Sequence, residues 1–144
     1  MKKLICVMAL VCIGMLLVSC GSKRLDNPKA QFIRDFGLNI EKKDCVLEEL
    51  FNNYEGVPYE GIALYKLTIG EDVRQAFLQW ERIPFSEEAE HFLESLSAYV
   101  ELPSIADGCW KMVDRNPGTS AYTNVSLCVY DRATDAAYLL TMDI

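Results

Sequence analysis

The chain has 144 residues and a formal net charge of −7, from 14 lysines and arginines against 21 aspartates and glutamates. This acidic balance argues against nucleic acid as a partner, because binding phosphates needs a basic stripe. The length suits one domain, and a domain of this size can hold a hydrophobic core without disulfides or metals.

The first element is an apolar run from Leu4 to Val18 that follows Met1-Lys2-Lys3. A positive start, a short hydrophobic middle and small residues at the end are typical of a secretory signal. The run is shorter than the roughly twenty residues that a membrane-spanning helix needs. The alternative is an uncleaved signal anchor in which Cys20 is an ordinary small apolar residue.

The residues that end this run match the four lipobox positions one for one, so the chain resembles a bacterial lipoprotein. They are Leu17, Val18, Ser19 and Cys20, followed by Gly21. In that family the cysteine thiol receives a diacylglyceryl group, the signal is cut just before it, and the new amino terminus can be acylated. The resemblance implies anchoring to the outer face of a membrane. Gly21, in place of aspartate, resembles the outer-membrane default in cells that have an outer membrane.

This processing divides the chain into three parts. Residues 1–19 are the signal peptide, 20–27 the lipidated cysteine with a short tether, and 28–144 a single domain. Losing Lys2 and Lys3 with the signal takes the formal net charge from −7 to −9.

The first half of the domain is predicted to contain one helix and two strands. Asn27-Pro28 and Gly37 supply a cap, an N1 proline and a C′ glycine for a helix from Pro28 to Phe36. Asp44 to Tyr54 is ambiguous, because its apolar residues have helical spacing while the asparagines and glycines that follow suit a strand entering a turn; we favour the strand slightly. Ile62 to Ile69 is a firmer strand.

Two helices are predicted in the middle of the chain. Glu71 to Glu81 has apolar residues at positions i, i+3, i+4 and i+7 and acidic residues at its start. Ser86 caps a second helix that runs to about Val100 and has one apolar face.

The last third is predicted to form three strands, Gly108 to Arg115, Tyr122 to Asp131 and Ala136 to Asp143. If Arg115 faces Tyr122 and Asp131 faces Ala136, one face of this meander is wholly apolar and the other is wetter. The expected fold is α+β, an antiparallel sheet of four or five strands with the two middle helices packed across its apolar face.

The same register bears on the cysteines, of which the chain has six. The signal removes two of them and lipid occupies Cys20, so Cys45, Cys109 and Cys128 remain. Stepping back from Arg115 and Tyr122 places Cys109 opposite Cys128, within disulfide range, and export permits oxidation. We predict a Cys109–Cys128 disulfide and a buried Cys45 thiol. Two reduced cysteines are the alternative, because a one-residue slip would turn them to opposite faces.

The sequence offers little for catalysis or metal binding. His91 is the single histidine, and it lies about 150° from the centre of the apolar face of its helix, so it should be solvated. It cannot complete a zinc site, and no Cys-x-x-Cys pair is present. The serines lack a nearby base. We therefore assign no catalytic residue, metal or cofactor.

The turn before the second strand is a candidate binding loop. Its residues are Tyr54, Glu55, Tyr59 and Glu60. Tyrosines at a turn supply contact area with a polar tip. The alternative is a purely structural turn, because the glycines at 56 and 61 are what a connection between strands needs.

Further motifs resemble a group of small bacterial domains that has no assigned activity. They are Asp44-Cys45, Trp80-Glu-Arg-Ile-Pro84, Gly108-Cys-Trp110, Asp114-Arg115 and Asn124-Val-Ser-Leu127 through Val129-Tyr130-Asp131. The resemblance covers about Gly37 to Ile144 and implies a strand near Cys45. Such domains carry a histidine in the turn where this chain has Tyr54 to Gly61 without one, so a site shared at that turn is in doubt.

These features together favour a lipid-anchored, extracytoplasmic interaction module. Its expected partners are the membrane, through the anchor, and an unidentified envelope protein. A small envelope hydrolase and an accessory ligand-binding lipoprotein are the alternatives.

Overall fold

A computed structural model describes residues 27–41, 45–56, 60–118 and 121–144. The predicted signal, the lipobox with Cys20 and Gly21, and Tyr59 of the binding loop lie outside these ranges. Within them, three helices accompany one antiparallel sheet of six strands, which confirms the α+β class.

The elements follow one another along the chain with short connections. The helices are α1 (Pro28–Phe36), α2 (Glu71–Phe77) and α3 (Glu87–Leu96). The strands are β1 (Val46–Asn52), β2 (Gly61–Thr68), β3 (Glu81–Arg82), β4 (Gly108–Asp114), β5 (Asn124–Asp131) and β6 (Ala136–Asp143). In the sheet they lie in the order β1-β2-β6-β5-β4-β3.

Helix α1 has the predicted bounds, and its caps explain them. The Asn27 side chain accepts a hydrogen bond from the Lys29 N–H at 3.0 Å, and Pro28 occupies the first turn. Gly37 adopts φ 69° and donates its N–H to the Ile33 carbonyl at 3.0 Å. A left-handed residue of this kind ends many helices because it satisfies a free carbonyl.

The ambiguous segment near Cys45 is a strand, as favoured. A β-bulge shifts the register of β1 against β2 between Glu49 and Phe51. The extra residue breaks the period of two, so that Leu47 packs into one core cluster and Phe51 into the other. This break accounts for the helix-like spacing of the apolar residues.

The prediction of four or five strands is one short. The sixth strand, β3, has two residues that pair with Cys109 and Trp110 of β4, too few for a pattern of alternation. It also ends α2 before Glu81, because the chain turns after Phe77 and brings the Trp80 ring to 4.6 Å from the Phe77 ring. Helix α3 likewise ends at Leu96, before Val100.

The predicted placement of both middle helices on one face of the sheet is wrong. Helix α3 covers the expected apolar face, with Phe92 packed in the same cluster as Trp110 and Leu140. Helix α2 lies on the other face beside α1, and its Phe77 shares a cluster with Phe32 of α1. The second face is therefore buried rather than wetter, because two helices cover it.

The strand register is partly as predicted. Asp131 faces Ala136, which confirms the β5–β6 pairing. Strand β4 is shifted by two residues along β5, so that Gly108 faces Asp131 and the Arg115 N–H bonds to Asn124 instead of facing Tyr122. A shift of two keeps every side chain on its face, so the predicted apolar face is unchanged.

The shift removes the basis for the predicted disulfide. Cys109 faces Tyr130, and Cys128 faces Lys111. The two cysteines are thus diagonal neighbours, which lie about 7 to 8 Å apart in a sheet, beyond the usual disulfide span. Cys45, Cys109 and Cys128 are all buried free thiols, so the prediction is correct for Cys45 alone.

Candidate functional site

The predicted binding loop between β1 and β2 separates into two parts. Tyr54 is half-buried, and its hydroxyl donates a hydrogen bond to Asp143 Oδ2 at 2.9 Å. The same hydroxyl lies 3.2 Å from Thr141 Oγ1. Burial raises the pKa of Tyr54, although the Thr141 hydrogen bond acts in the opposite direction, so the phenol stays protonated. Tyr54 therefore has a structural role.

Tyr54 belongs to a polar network that joins α1 to the ends of three strands. At its centre is Arg115, directly after β4, whose Nη1 donates to Asp35 Oδ2 of α1 at 2.8 Å and also to Ser126 of β5. Its Nη2 donates to Asp143 of β6. Ser126 in turn donates its hydroxyl to Asp35 at 2.7 Å. The network thus ties α1, β4, β5, β6 and the β1–β2 loop together.

Asp35 is the most enclosed charge of this network, since only 2% of its side chain is exposed. Burial acts to raise its pKa, but hydrogen bonds from Arg34 and Ser126 and the charge of Arg115 outweigh burial and lower the pKa below its ordinary value. The carboxylate is therefore ionised at neutral pH.

The network stabilises the fold and presents no accessible reactive group. Ser126 is fully buried and also accepts a hydrogen bond from Gln31 at 3.1 Å. Among the residues that the structure describes, every buried side-chain nitrogen and oxygen has a hydrogen-bond partner. A hydroxyl without access to solvent cannot attack a substrate. We therefore assign these residues to holding α1 and the β1–β2 loop in place.

Glu55 and Glu60, the other two described residues of the predicted loop, face a different surface. They form an isolated antiparallel bridge in which each N–H donates to the other carbonyl, at 3.0 and 3.2 Å. Residues paired in this way project their side chains to the same side. Both are exposed, and both line one cleft.

That cleft has a volume of about 670 Å³ and lies between the bridge, the second half of α3 and the end of β6. We call it the α3 cleft. Its floor is apolar and consists of the buried side chains of Ile62, Leu96 and Met142. Tyr99 and Ile144 border it and are 61% and 65% exposed. The volume falls within the roughly 300 to 1,000 Å³ of typical ligand sites.

A second depression adjoins the α3 cleft along the first turns of α3. It has a volume of about 620 Å³ and shares His91 and Tyr122 with the α3 cleft. We call it the glutamate groove, after Glu87, Glu88, Glu90 and Glu94, which line it together with Ser86. None of the described residues lining either depression is a lysine or an arginine.

His91 stands where the two depressions meet. It is exposed, as predicted, and its ring lies edge-on to Tyr122 with the centroids 5.8 Å apart. The hydroxyls beside it are engaged elsewhere: Ser95 donates to the Phe92 carbonyl at 2.7 Å and Tyr122 to the Glu88 carbonyl at 3.1 Å. His91 and Tyr122 thus form a wall of the surface rather than a base and its nucleophile.

Two parts of this region escaped the sequence analysis. Asp35 and Arg115 are far apart in the chain, and the one local signal for their network is that Gln31 and Asp35 lie four residues apart beside the buried Phe32 and Phe36. The border of the α3 cleft was missed because it depends on α3 ending at Leu96.

Further comparisons complete the description of the site. Within the described ranges, no three histidine, cysteine or acidic side chains are grouped so as to hold a metal ion. No helix in those ranges is long and apolar enough to cross a bilayer. No protein-family model matches the chain, and neither a curated protein nor a solved structure matches it.

Proposed function

We propose that this chain is a bacterial lipoprotein, anchored through Cys20 to the outer face of a membrane, and that its domain binds an envelope protein through the α3 cleft. The observation that carries the binding proposal is the composition of that cleft. Its apolar floor is bordered by the exposed side chains of Tyr99 and Ile144. Apolar groups gathered around an open depression are typical of interaction sites.

The anchoring proposal depends on the sequence Leu17-Val18-Ser19-Cys20 after an apolar run. Once the signal is removed, residues 21–26 span only about 20 Å when fully extended. Such a tether holds the domain near the headgroups. The partners within its reach are then proteins in or on the same membrane.

Binding fits the cleft better than the hydrolase alternative does. A serine nucleophile needs a base within hydrogen-bond reach. His91 is the single histidine of the chain, and the Ser95 hydroxyl near it is bonded to a backbone carbonyl. The accessory ligand-binding alternative shares the cleft and differs in the size of its ligand.

A photoreactive amino acid, introduced into the full chain in its own cells, tests the binding proposal. It replaces Tyr99 or Ile144 at the border of the cleft, and Lys111, which is exposed on β4 and does not line the cleft, serves as the control. We expect the same crosslinked partner from both cleft positions and none from the control. Equal products from Lys111, or no product from either cleft position, would contradict the proposal.

The anchor has a separate test. In Cys20→Ser the thiol that receives the lipid is absent, so metabolic labelling with a fatty acid should fail and the protein should stay unprocessed or be released. Label retained by this variant would refute the anchor without affecting the cleft.

A further inference from the structure

We infer that the α3 cleft receives a basic peptide segment of the partner protein, with an apolar side chain between its lysines or arginines. The inference rests on the proposed function and specifies the chemistry of the partner. It is carried by two properties of the surface, its charge and its length.

The charge of the surface has one sign. Four glutamates line the glutamate groove, and two glutamates and Asp143 line the α3 cleft. Arg115 neutralises Asp143, but no lysine or arginine is among the described residues lining either depression. Electrostatic complementarity therefore selects a cationic partner.

Part of this charge has a structural explanation and part does not. Glu87, Glu88 and Glu90 lie in the first turn of α3, where acidic residues favour the helix dipole. Glu94 lies beyond that turn. Glu55 and Glu60 belong to no helix, and their backbone bridge holds both carboxylates against the cleft. These three residues bring negative charge to an apolar floor without stabilising a helix end.

The length of the surface favours a peptide over a small cation. Helix α3 has ten residues, which corresponds to about 15 Å. The two depressions follow it and meet at His91 and Tyr122. An extended segment of about five residues spans this distance. A small cation would fill one depression and leave the apolar floor uncovered.

Two other occupants fit the charge less well. A second copy of the chain, docked through the same surface, would bring glutamates against glutamates. An anionic membrane surface would repel this face, since such membranes attract basic segments. A basic segment with an apolar side chain satisfies both the carboxylates and the floor formed by Ile62, Leu96 and Met142.

Peptide binding to the full lipidated protein tests the inference. The protein is held in nanodiscs of zwitterionic phosphatidylcholine, which do not attract a basic peptide. The probe is a short fluorescent peptide with a Leu-Phe pair flanked by lysines on both sides, in a Gly/Ser background. One control peptide replaces the lysines with glutamates and another replaces the Leu-Phe pair with serines. Fluorescence anisotropy reports binding, with empty nanodiscs as the blank.

Paired variants of the protein locate the binding. We expect Glu55→Gln combined with Glu60→Gln to weaken binding about threefold to tenfold, since each exposed ion pair contributes little. Tyr99→Ser should weaken it about tenfold or more, as removal of an aromatic anchor does. Glu41→Gln combined with Glu48→Gln removes the same charge from residues that do not line the cleft and should leave binding unchanged. Added salt should weaken binding of the basic peptide.

The outcomes separate this inference from the proposed function. Binding of the glutamate peptide as tight as that of the lysine peptide, equal effects of the cleft and control variants, or binding of none of the peptides would overturn the inference. If Tyr99 and Ile144 still crosslink to a partner in cells, the proposed function stands while the basic segment is rejected. If those crosslinks are also missing, both are rejected.

Discussion

Asp35 of α1 and Arg115 after β4 are eighty residues apart in the chain and form an ion pair in which Nη1 lies 2.8 Å from Oδ2. Only 2% of the Asp35 side chain and 16% of the Arg115 side chain are exposed. The pair fixes α1, the first described helix after the proposed tether, onto the end of the sheet. The attachment of the domain to its anchor therefore depends on it.

The first prediction concerns this pair. Asp35→Asn is expected to lower the free energy of unfolding by about 2 to 4 kcal/mol, because Arg115 keeps its charge and loses an enclosed partner. Asp107→Asn is the control, since the Asp107 side chain is 65% exposed in its pair with Arg132, and it should cost about 0.5 kcal/mol or less. Urea unfolding measures both. Equal losses would show that the Asp35 pair contributes no more than a surface pair.

The second prediction is a dependence on pH. Because the pKa of Asp35 is lower in the folded protein than its ordinary value, the unfolded chain takes up this proton first as the pH falls. The stabilisation is complete above the ordinary pKa, near pH 4, and is lost as the pH falls towards the folded pKa. Thermal unfolding between pH 6 and pH 2 should show this decline.

A comparison of variants assigns that decline. Asp35→Asn should make it shallower without abolishing it, because hydrogen bonds from Arg74 and Tyr130 also lower the pKa of Asp135. Identical slopes for the variant and the wild type would mean that Asp35 does not contribute.

The third prediction compares two glycines with different reasons for being glycine. A Cβ at Gly61 would lie 2.6 Å from the Cα of Tyr54 and 2.8 Å from its nitrogen, so Gly61→Ala should displace that backbone and cost about 1 to 3 kcal/mol. A Cβ at Gly37 meets nothing within 4 Å, and Gly37→Ala should cost only about 1 kcal/mol for its left-handed φ of 69°. Hydrogen exchange at the Tyr54 amide should accelerate in Gly61→Ala alone. Acceleration in both variants would count against the steric explanation.

The parts of the fold that the sequence predicts well depend on local signals. The caps of α1 involve residues within two to four positions of each other, so both ends could be read directly. The β5–β6 pairing follows from a short turn that brings Asp131 opposite Ala136. At the candidate site, Glu55 and Glu60 were found as turn residues and do line the cleft.

The parts that failed depend on distant contacts. A shift of β4 along β5 by two residues leaves each side chain on the same face, so the hydrophobic pattern cannot detect it. Ser126 and Thr141 looked like solvent-facing positions because they are polar, yet both are buried beneath the helices of that face. Tyr54 looked like a contact residue because nothing near it in sequence indicates its bond to Asp143.

The last prediction follows from the corrected register. Cys109 faces Tyr130 rather than Cys128, and Cys45, Cys109 and Cys128 are buried free thiols. Burial also raises the pKa of the Cys128 thiol, which suppresses its reactive thiolate. In the native protein isolated from the envelope, an alkylating reagent should therefore modify these three thiols slowly. After unfolding without a reductant it should modify all three, as mass spectrometry would show. Two thiols that resist alkylation until a reductant is added would reveal a disulfide and require the diagonal pair to move together.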